Sequence, residues 1–231
     1  STNLYSHDLL SAGKVMDTTV VYSLSQTKGR GMGKNIWLSE DNKNLTFSLI
    51  VFPDLKAESH FSLSMIVSLA ICEYLILKGV EAKIKWPNDI WVQNKKLAGI
   101  LIENSIMGDR IKSSVIGVGL NLNQTNFPAE IPNPGSLSQL TENSYNIDNE
   151  IVTISKLVSN AIVSLSKNEF LSIRTKYLSK LYRFNELSKF KSNDRVFEGT
   201  IINVNQTGHL VVKESAGNIS EFYFKEIEFV L

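Results

Sequence analysis

The chain has a single cysteine, Cys72, in 231 residues. That excludes an internal disulfide and any cysteine-rich metal site, and it points to a reducing compartment. Histidine is nearly as scarce. His7, His60 and His209 lie far apart and show no ligand spacing, which argues against a histidine-based metal centre. An excess of one charge is lacking too: 24 Lys and Arg against 23 Asp and Glu leave a net charge of +1. Any affinity for phosphate or nucleic acid must therefore be local rather than a property of the whole surface. Long apolar runs are missing. The most apolar stretch, Leu63–Leu77, carries Glu73 and several serines and reads as a buried helix rather than a membrane span. No secretory signal opens the sequence, and no repeat or low-complexity tract interrupts it. The expectation is a cytoplasmic globular protein without membrane association.

What is present suits that expectation. A composition of 43% hydrophobic and 20% charged residues can build a core, and the length fits one large domain or a main domain with a small appendage. Thr18–Gln26 is β-branched and ends on a glycine loop, so it reads as strand then loop. Leu45–Phe52 is a second strand stopped by Pro53, and Ser62–Lys78 is a helix with Gly79 just past its last turn. Ala82–Trp86 is a short strand ending at Pro87. Ile90–Gln93 and Leu97–Glu103 flank Asn94-Lys95-Lys96 as a hairpin, and Ile111–Gly119 is a further strand. Asn123–Tyr145 is rich in Asn, Pro, Gly, Ser and Thr and reads mostly as loop. Ile151, Ile154, Leu157, Val158, Ile162 and Leu165 recur at helical spacing, with Asp148 as candidate N-cap, and Phe170–Tyr182 is another helix. Beyond Phe184 come short punctuated strands, Arg195–Val204, His209–Lys213 and Ile219–Phe224, as in a small barrel. The expected organisation is an α/β main domain over 1–183 and an all-β domain over 184–231.

Four segments can carry chemistry. In Gly29-Arg30-Gly31-Met32-Gly33-Lys34 the glycines allow close backbone approach to an anion and Arg30 and Lys34 add charge. The spacing matches neither G-x-x-x-x-G-K-[ST] nor G-x-G-x-x-G, and a surface turn is the plain alternative. In "KWPNDIWVQNKKLAGILIE", Pro87 favours an extended Trp86 and Asn88-Asp89 favour a turn. Asp89 then sits at a strand end and Lys96 starts the return strand. A carboxylate and an ammonium there can orient a substrate and neutralise phosphate charge, or be an ordinary turn and a solvated lysine. In "GVGLNLN", Gly117 and Gly119 leave room for a flat ligand and Asn121 offers donor and acceptor groups, unless the segment is only a tight strand exit. Ser1-Thr2-Asn3 can cap a helix starting near Leu4 or present hydroxyls to a ligand.

Taken together, "STN", "QTKGRGMGKNIW", "KWPNDI", "KLAGILIE" and "GVGLNLN" resemble the biotin protein ligases, in that family's order and spacing over nearly the whole chain, and "FEGTIINVNQTGHLVV" resembles its small C-terminal domain. The resemblance implies an α/β fold, a mixed sheet flanked by helices like a class II aminoacyl-tRNA synthetase core, with an SH3-like β-barrel after it. It implies two steps: biotin and ATP give biotinyl-5′-AMP, and a lysine of a biotin carboxyl carrier domain then takes the biotin. By family position, biotin would meet Ser1, Thr2, Asn3, Gln26, Gly29, Arg30, Gly31, Met32, Lys96, Gly99, Gly117 and Gly119. ATP would meet Arg30, Trp37, Lys85, Asn88, Lys96 and Asn121, with Trp37 stacking on adenine. Lys96, Arg30 and Asp89 would be catalytic, Asp89 orienting the incoming amine or helping to hold Mg²⁺. The cofactors implied are ATP and Mg²⁺ carried on its phosphates, with no protein-held metal. No helix-turn-helix is found among these residues, so no DNA partner is expected; a homodimer stays open.

Two departures stand out. Met32 replaces a second loop arginine of many family members, and "FKEI", Phe224–Ile227, replaces a more usual Gly-Glu-Val. The Gly29–Trp37 loop is expected to be mobile until ligand orders it. The alternatives are a non-catalytic biotin or adenylate sensor and a lipoate ligase, whose arginine-rich, triple-glycine signature is missing.

Overall fold

A computed structural model describes residues 1–165 and 170–230; residues 166–169 and Leu231, which fall within the two expected domains, lie outside the described residues. The main sheet has six strands: β1 (Thr19–Ser23), β2 (Leu45–Val51), β3 (Lys83–Lys85), β4 (Asp89–Val92), β5 (Lys95–Met107) and β6 (Arg110–Leu120). Their order is β1-β2-β6-β5-β4-β3, and every neighbouring pair of these strands is antiparallel. The expected mixed sheet is corrected by this. Parallel neighbours need a crossover of a dozen or more residues, whereas β4–β5 and β5–β6 are joined by two-residue turns. Those turns carry left-handed backbone at Gln93 (φ 53°) and Gly108 (φ 64°), as tight hairpins require.

All seven residues of β2 are buried, because both its faces are covered. On one face lies helix α1 (Thr2–Ser11). It begins at Thr2, not near Leu4, and Ser1 makes no side-chain cap bond. Thr2 and Asn3 therefore lie within the first turn, their Oγ1 and Oδ1 atoms 2.8 and 2.6 Å from Ser48 Oγ. Against the sheet also packs α2 (Phe61–Leu77), with twelve of its seventeen residues buried. With the turn before it, Ala57–Leu77 is long and apolar enough to cross a membrane by length and composition, but its apolar window is 67% buried within the protein. It has no polar face because α4 (Ile147–Leu165) and α5 (Phe170–Lys180) also pack on it. The α4 stripe is the expected one, but the cap is Asn146, whose Oδ1 accepts from Asn149 N at 3.0 Å; Asp148 sits in the first turn. A short helix, α3 (Leu137–Thr141), interrupts the expected loop and is held by a Ser136/Gln139 capping box.

The second sheet consists of β7 (Leu187–Ser192), β8 (Arg195–Val204), β9 (Leu210–Glu214), β10 (Ile219–Phe222) and β11 (Glu228–Phe229), in the order β10-β9-β8-β7-β11, again antiparallel. β7 and β11 were not expected: β7 has only Leu187 and Phe190 as apolar residues, without strand alternation, and β11 is two residues long. Aromatic rings seat this sheet on the first. Trp86 Nε1 donates to Gly208 O at 2.8 Å, Phe224 packs on Trp86 and Phe61, and Tyr182 bridges Trp91 and Phe229. This anchoring carries the Phe224–Phe229 segment to the rim of a cleft in the main sheet.

Candidate active site

The cleft encloses about 570 Å³, within the range of small-molecule sites. Its floor is the β5–β6 ladder, where Gly99 and Gly119 are direct cross-strand partners. A side chain on Gly119 would run into the Trp37 indole, and one on Gly117 into the Asn3 amide. The glycines thus leave the space over this ladder to the side chains of Trp37 and Asn3. Trp37 lies on that floor instead of projecting from the loop, and its buried indole N–H has no hydrogen-bond partner among the described residues.

Lys96 Nζ lies 2.8 Å from Asp89 Oδ1, both side chains partly exposed. A register shift between Ile90 and Trp91 produces this contact. Asp89 pairs with Gly99 and Ile90 with Ala98, but Trp91 pairs with Lys96, not Leu97. Since side chains alternate faces along a strand, a one-residue slip exchanges which residue shares the Asp89 face. It leaves Leu97 fully buried and brings the ammonium to the carboxylate.

Arg30 forks onto Glu103 of β5 through two contacts of 3.0 and 3.2 Å. The same carboxylate accepts from Asn3 Nδ2 at 2.9 Å and lies 3.3 Å from His7 Nε2. Glu103 thus ties helix α1, the glycine loop and β5 together. Burial alone would raise its pKa, but the Asn3 hydrogen bond, the Arg30 charge and His7 override it and hold the carboxyl below its ordinary value. Because the folded pKa is the lower one, the stabilisation is present above about pH 4.3 and is lost as pH falls through the folded value. Glu103→Gln is expected to lower the melting temperature at pH 7 and to narrow its gap to wild type by pH 3; a constant gap across that range contradicts the assignment.

Lys85 stacks over Trp91, 3.7 Å from the ring centroid, with Phe229 at 5.2 Å. Burial lowers its pKa to about 8, Asp89 opposing and Arg183 and Lys96 adding to the shift.

Ser1, Thr2, Asn3, Gln26, Arg30, Gly31, Met32, Trp37, Lys85, Asn88, Asp89, Lys96, Gly99, Gly117 and Gly119 all line this one cleft. Several also hold the fold: Gln26 Oε1 accepts from Thr2 N at 2.9 Å, and Asn88 Nδ2 donates to Ile100 O at 2.8 Å. Two expected site residues stand apart. Gly29 packs beneath the loop against the Trp37 carbonyl. Asn121 is 5% exposed, its amide donating to Gly135 O at 2.9 Å and Lys96 O at 3.5 Å. It braces the strand that carries Lys96 and does not present its amide N–H to the cleft. Glu103 was missed, although it closes the "KLAGILIE" segment, as were Lys225, Ile227, Glu228 and Phe229, which enter the cleft wall from the C-terminal sheet.

The glycine loop folds as a small hairpin, with Gly31 N to Asn35 O at 2.9 Å, Trp37 N to Gly29 O at 3.2 Å and an Arg30–Ile36 bridge. Arg30 and Lys34 are both exposed on it.

Residues 1–121, just over half of the chain, match the sequence pattern of the biotin/lipoate A/B protein ligase family. The chain belongs to that family. The bifunctional ligase/repressor BirA of Bacillus spizizenii is 28% identical over 232 residues, covering 99% of this chain and 71% of its own length. The biotin–[acetyl-CoA-carboxylase] ligase of Paracoccus denitrificans is 26% identical over 205 residues, 85% of each protein. Among solved structures, the biotin protein ligase from Aquifex aeolicus in complex with biotin and ATP aligns with a TM-score of 0.77 at 26% identity, over 93% of this chain and 89% of that one. Within the glycine loop the backbone hydrogen bonds are Gly31 N to Asn35 O, Asn35 N to Met32 O and Trp37 N to Gly29 O, and Arg30 ties it to Glu103. Trypsin cleavage after Arg30 and Lys34 is expected to slow several-fold with biotin and ATP together; equal rates with and without them contradict a ligand-ordered loop.

Proposed function

We propose that this chain is a biotin protein ligase. It joins biotin to ATP to form biotinyl-5′-AMP and pyrophosphate, then passes biotin to a lysine of a biotin carboxyl carrier domain. The observation that carries the reading is the Lys96–Asp89 pair at the edge of the Gly99/Gly119 floor, with Arg30 across the same cleft. In the first step a carboxylate oxygen of biotin bonds to the α-phosphorus and pyrophosphate leaves. Charge grows on the phosphoryl oxygens, and a fixed ammonium such as Lys96 stabilises it. In the second step the acceptor amine attacks the mixed anhydride, an amide forms and AMP leaves. The amine must shed a proton, and Asp89 is suited to orient it, or to help hold the Mg²⁺ that enters on the phosphates of ATP.

Biotin presents ureido donors and an acceptor on an apolar body. Ser1, Thr2, Asn3 and Gln26 at one end of the cleft suit the ureido group, and Gly117 and Gly119 leave room for the rings. Trp37 is read as leaving the glycine floor to stack on adenine. The same reading takes residues 1–183 as a catalytic domain of class II aminoacyl-tRNA synthetase type and 184–231 as an SH3-like domain, working in the cytoplasm. Incubation with ATP, labelled biotin and a carboxyl carrier domain tests it. Label on the carrier lysine is expected; biotin binding without transfer favours a sensor.

A further inference from the structure

Four basic side chains line the cleft, and three of them are engaged: Arg30 on Glu103, Lys96 on Asp89 and Lys85 over Trp91. The fourth, Lys225, has no ion pair or hydrogen bond among the described residues. It lies between β10 and β11, in a turn closed by Tyr223 N to Glu226 Oε2 and Glu226 N to Tyr223 O. Its backbone is left-handed at φ 71°, a conformation that a non-glycine residue adopts at a cost. That conformation sends its side chain across to the glycine loop. A Cβ built on Gly33 would lie 2.5 Å from Lys225 Nζ. The C-terminal turn and the loop therefore meet over the cleft, with the amine beside the loop that holds Met32.

The charge balance shows what this amine can serve. The Arg30–Glu103 and Lys96–Asp89 pairs are each neutral, so neither offsets the several negative charges of a triphosphate without breaking its own partner. Lys85 is held over the Trp91 ring with its pKa pulled down, and Glu228 on the cleft wall subtracts a charge; Lys225, unpaired among the described residues, lines the cleft beside the loop, where Met32 adds no charge.

We propose that Lys225 holds the β- and γ-phosphates of the nucleoside triphosphate and the pyrophosphate that leaves. The C-terminal turn thereby supplies to the glycine loop a cation that the loop lacks at Met32. This rests on the ligase reading and concerns only the first step; transfer from preformed biotinyl-5′-AMP does not require it.

The test is biotin-dependent exchange of labelled pyrophosphate into ATP by the full chain. Lys225→Gly removes the amine and relaxes the left-handed backbone, so the fold is expected to survive. We expect KM for ATP and for pyrophosphate to rise about tenfold, as loss of one charge-assisted phosphate contact implies. KM for biotin and transfer from added biotinyl-5′-AMP are expected to hold, Lys225→Arg to stay near wild type, and Met32→Arg to restore ATP affinity in the Lys225→Gly background. Unchanged KM values for ATP and pyrophosphate in Lys225→Gly overturn the proposal, as does an equal rise in the KM for biotin, which would mark a structural role. A wild type that exchanges no pyrophosphate overturns the ligase reading first and this proposal with it, so the two failures are told apart by the wild-type control.

Discussion

Lys96→Gln is expected to slow biotinyl-adenylate formation by about 10²–10³-fold, the usual loss when one preorganised charge-stabilising donor is removed. Glutamine keeps most of the side-chain length and a hydrogen-bond donor but no charge. Biotin affinity is expected to change far less than the rate, because the ammonium matters most when negative charge grows on the phosphoryl group. The partner matters as well. Lys96 Nζ sits 2.8 Å from Asp89 Oδ1, so removing the cation leaves a carboxylate facing the incoming phosphates. Asp89→Asn in the Lys96→Gln background is therefore expected to recover part of the lost ATP affinity. A single-turnover rate for Lys96→Gln within a few-fold of wild type contradicts the role given to this pair.

The second large effect comes from the glycine floor, and which neighbour can move decides its form. On Gly117 a Cβ meets Asn3, which Glu103, Leu101 O and Ser48 all hold in place. It cannot give way, so Gly117→Ala overpacks the start of α1. A stability loss of about 1–3 kcal/mol is expected, a drop of several degrees in melting temperature for a chain of this size, together with loss of biotin binding. On Gly119 a Cβ meets the indole of Trp37, which belongs to a loop with few bonds. The loop can shift, so Gly119→Ala is expected to leave melting nearly unchanged while crowding the ligand floor and weakening binding by an order of magnitude or more. Equal melting losses for the two variants contradict this account of the floor.

Much of this site was legible in the sequence because its motifs are local. Strand ends, tight turns and glycines are set by neighbouring residues, so "KWPND" and "KLAGIL" could be read as a turn and hairpin with Asp89 at a strand end and Lys96 starting the return strand. Strand direction was not legible, since antiparallel order in the main sheet depends on which distant strands pair. The register shift that turns Lys96 toward Asp89 was hidden for the same reason: the alternation in β4 and β5 looks unbroken until the two strands are aligned. Asn121 was ambiguous because an amide serves a ligand or a backbone equally well, and its N–H here goes to the Gly135 carbonyl. Glu103 meets Arg30 from 73 residues away, and Lys225 lies beside Gly33 from near the other end of the chain, both beyond the reach of any local pattern.

Biotin-dependent ATP–pyrophosphate exchange by the chain alone, with no acceptor protein, tests the central claim most directly. The cleft joins the glycine floor to the Lys96–Asp89 pair, so label is expected to enter ATP only when biotin is present and to stop in Lys96→Gln. Tight biotin binding with no exchange above the biotin-free control would contradict the claim and leave a binding protein in place of a ligase.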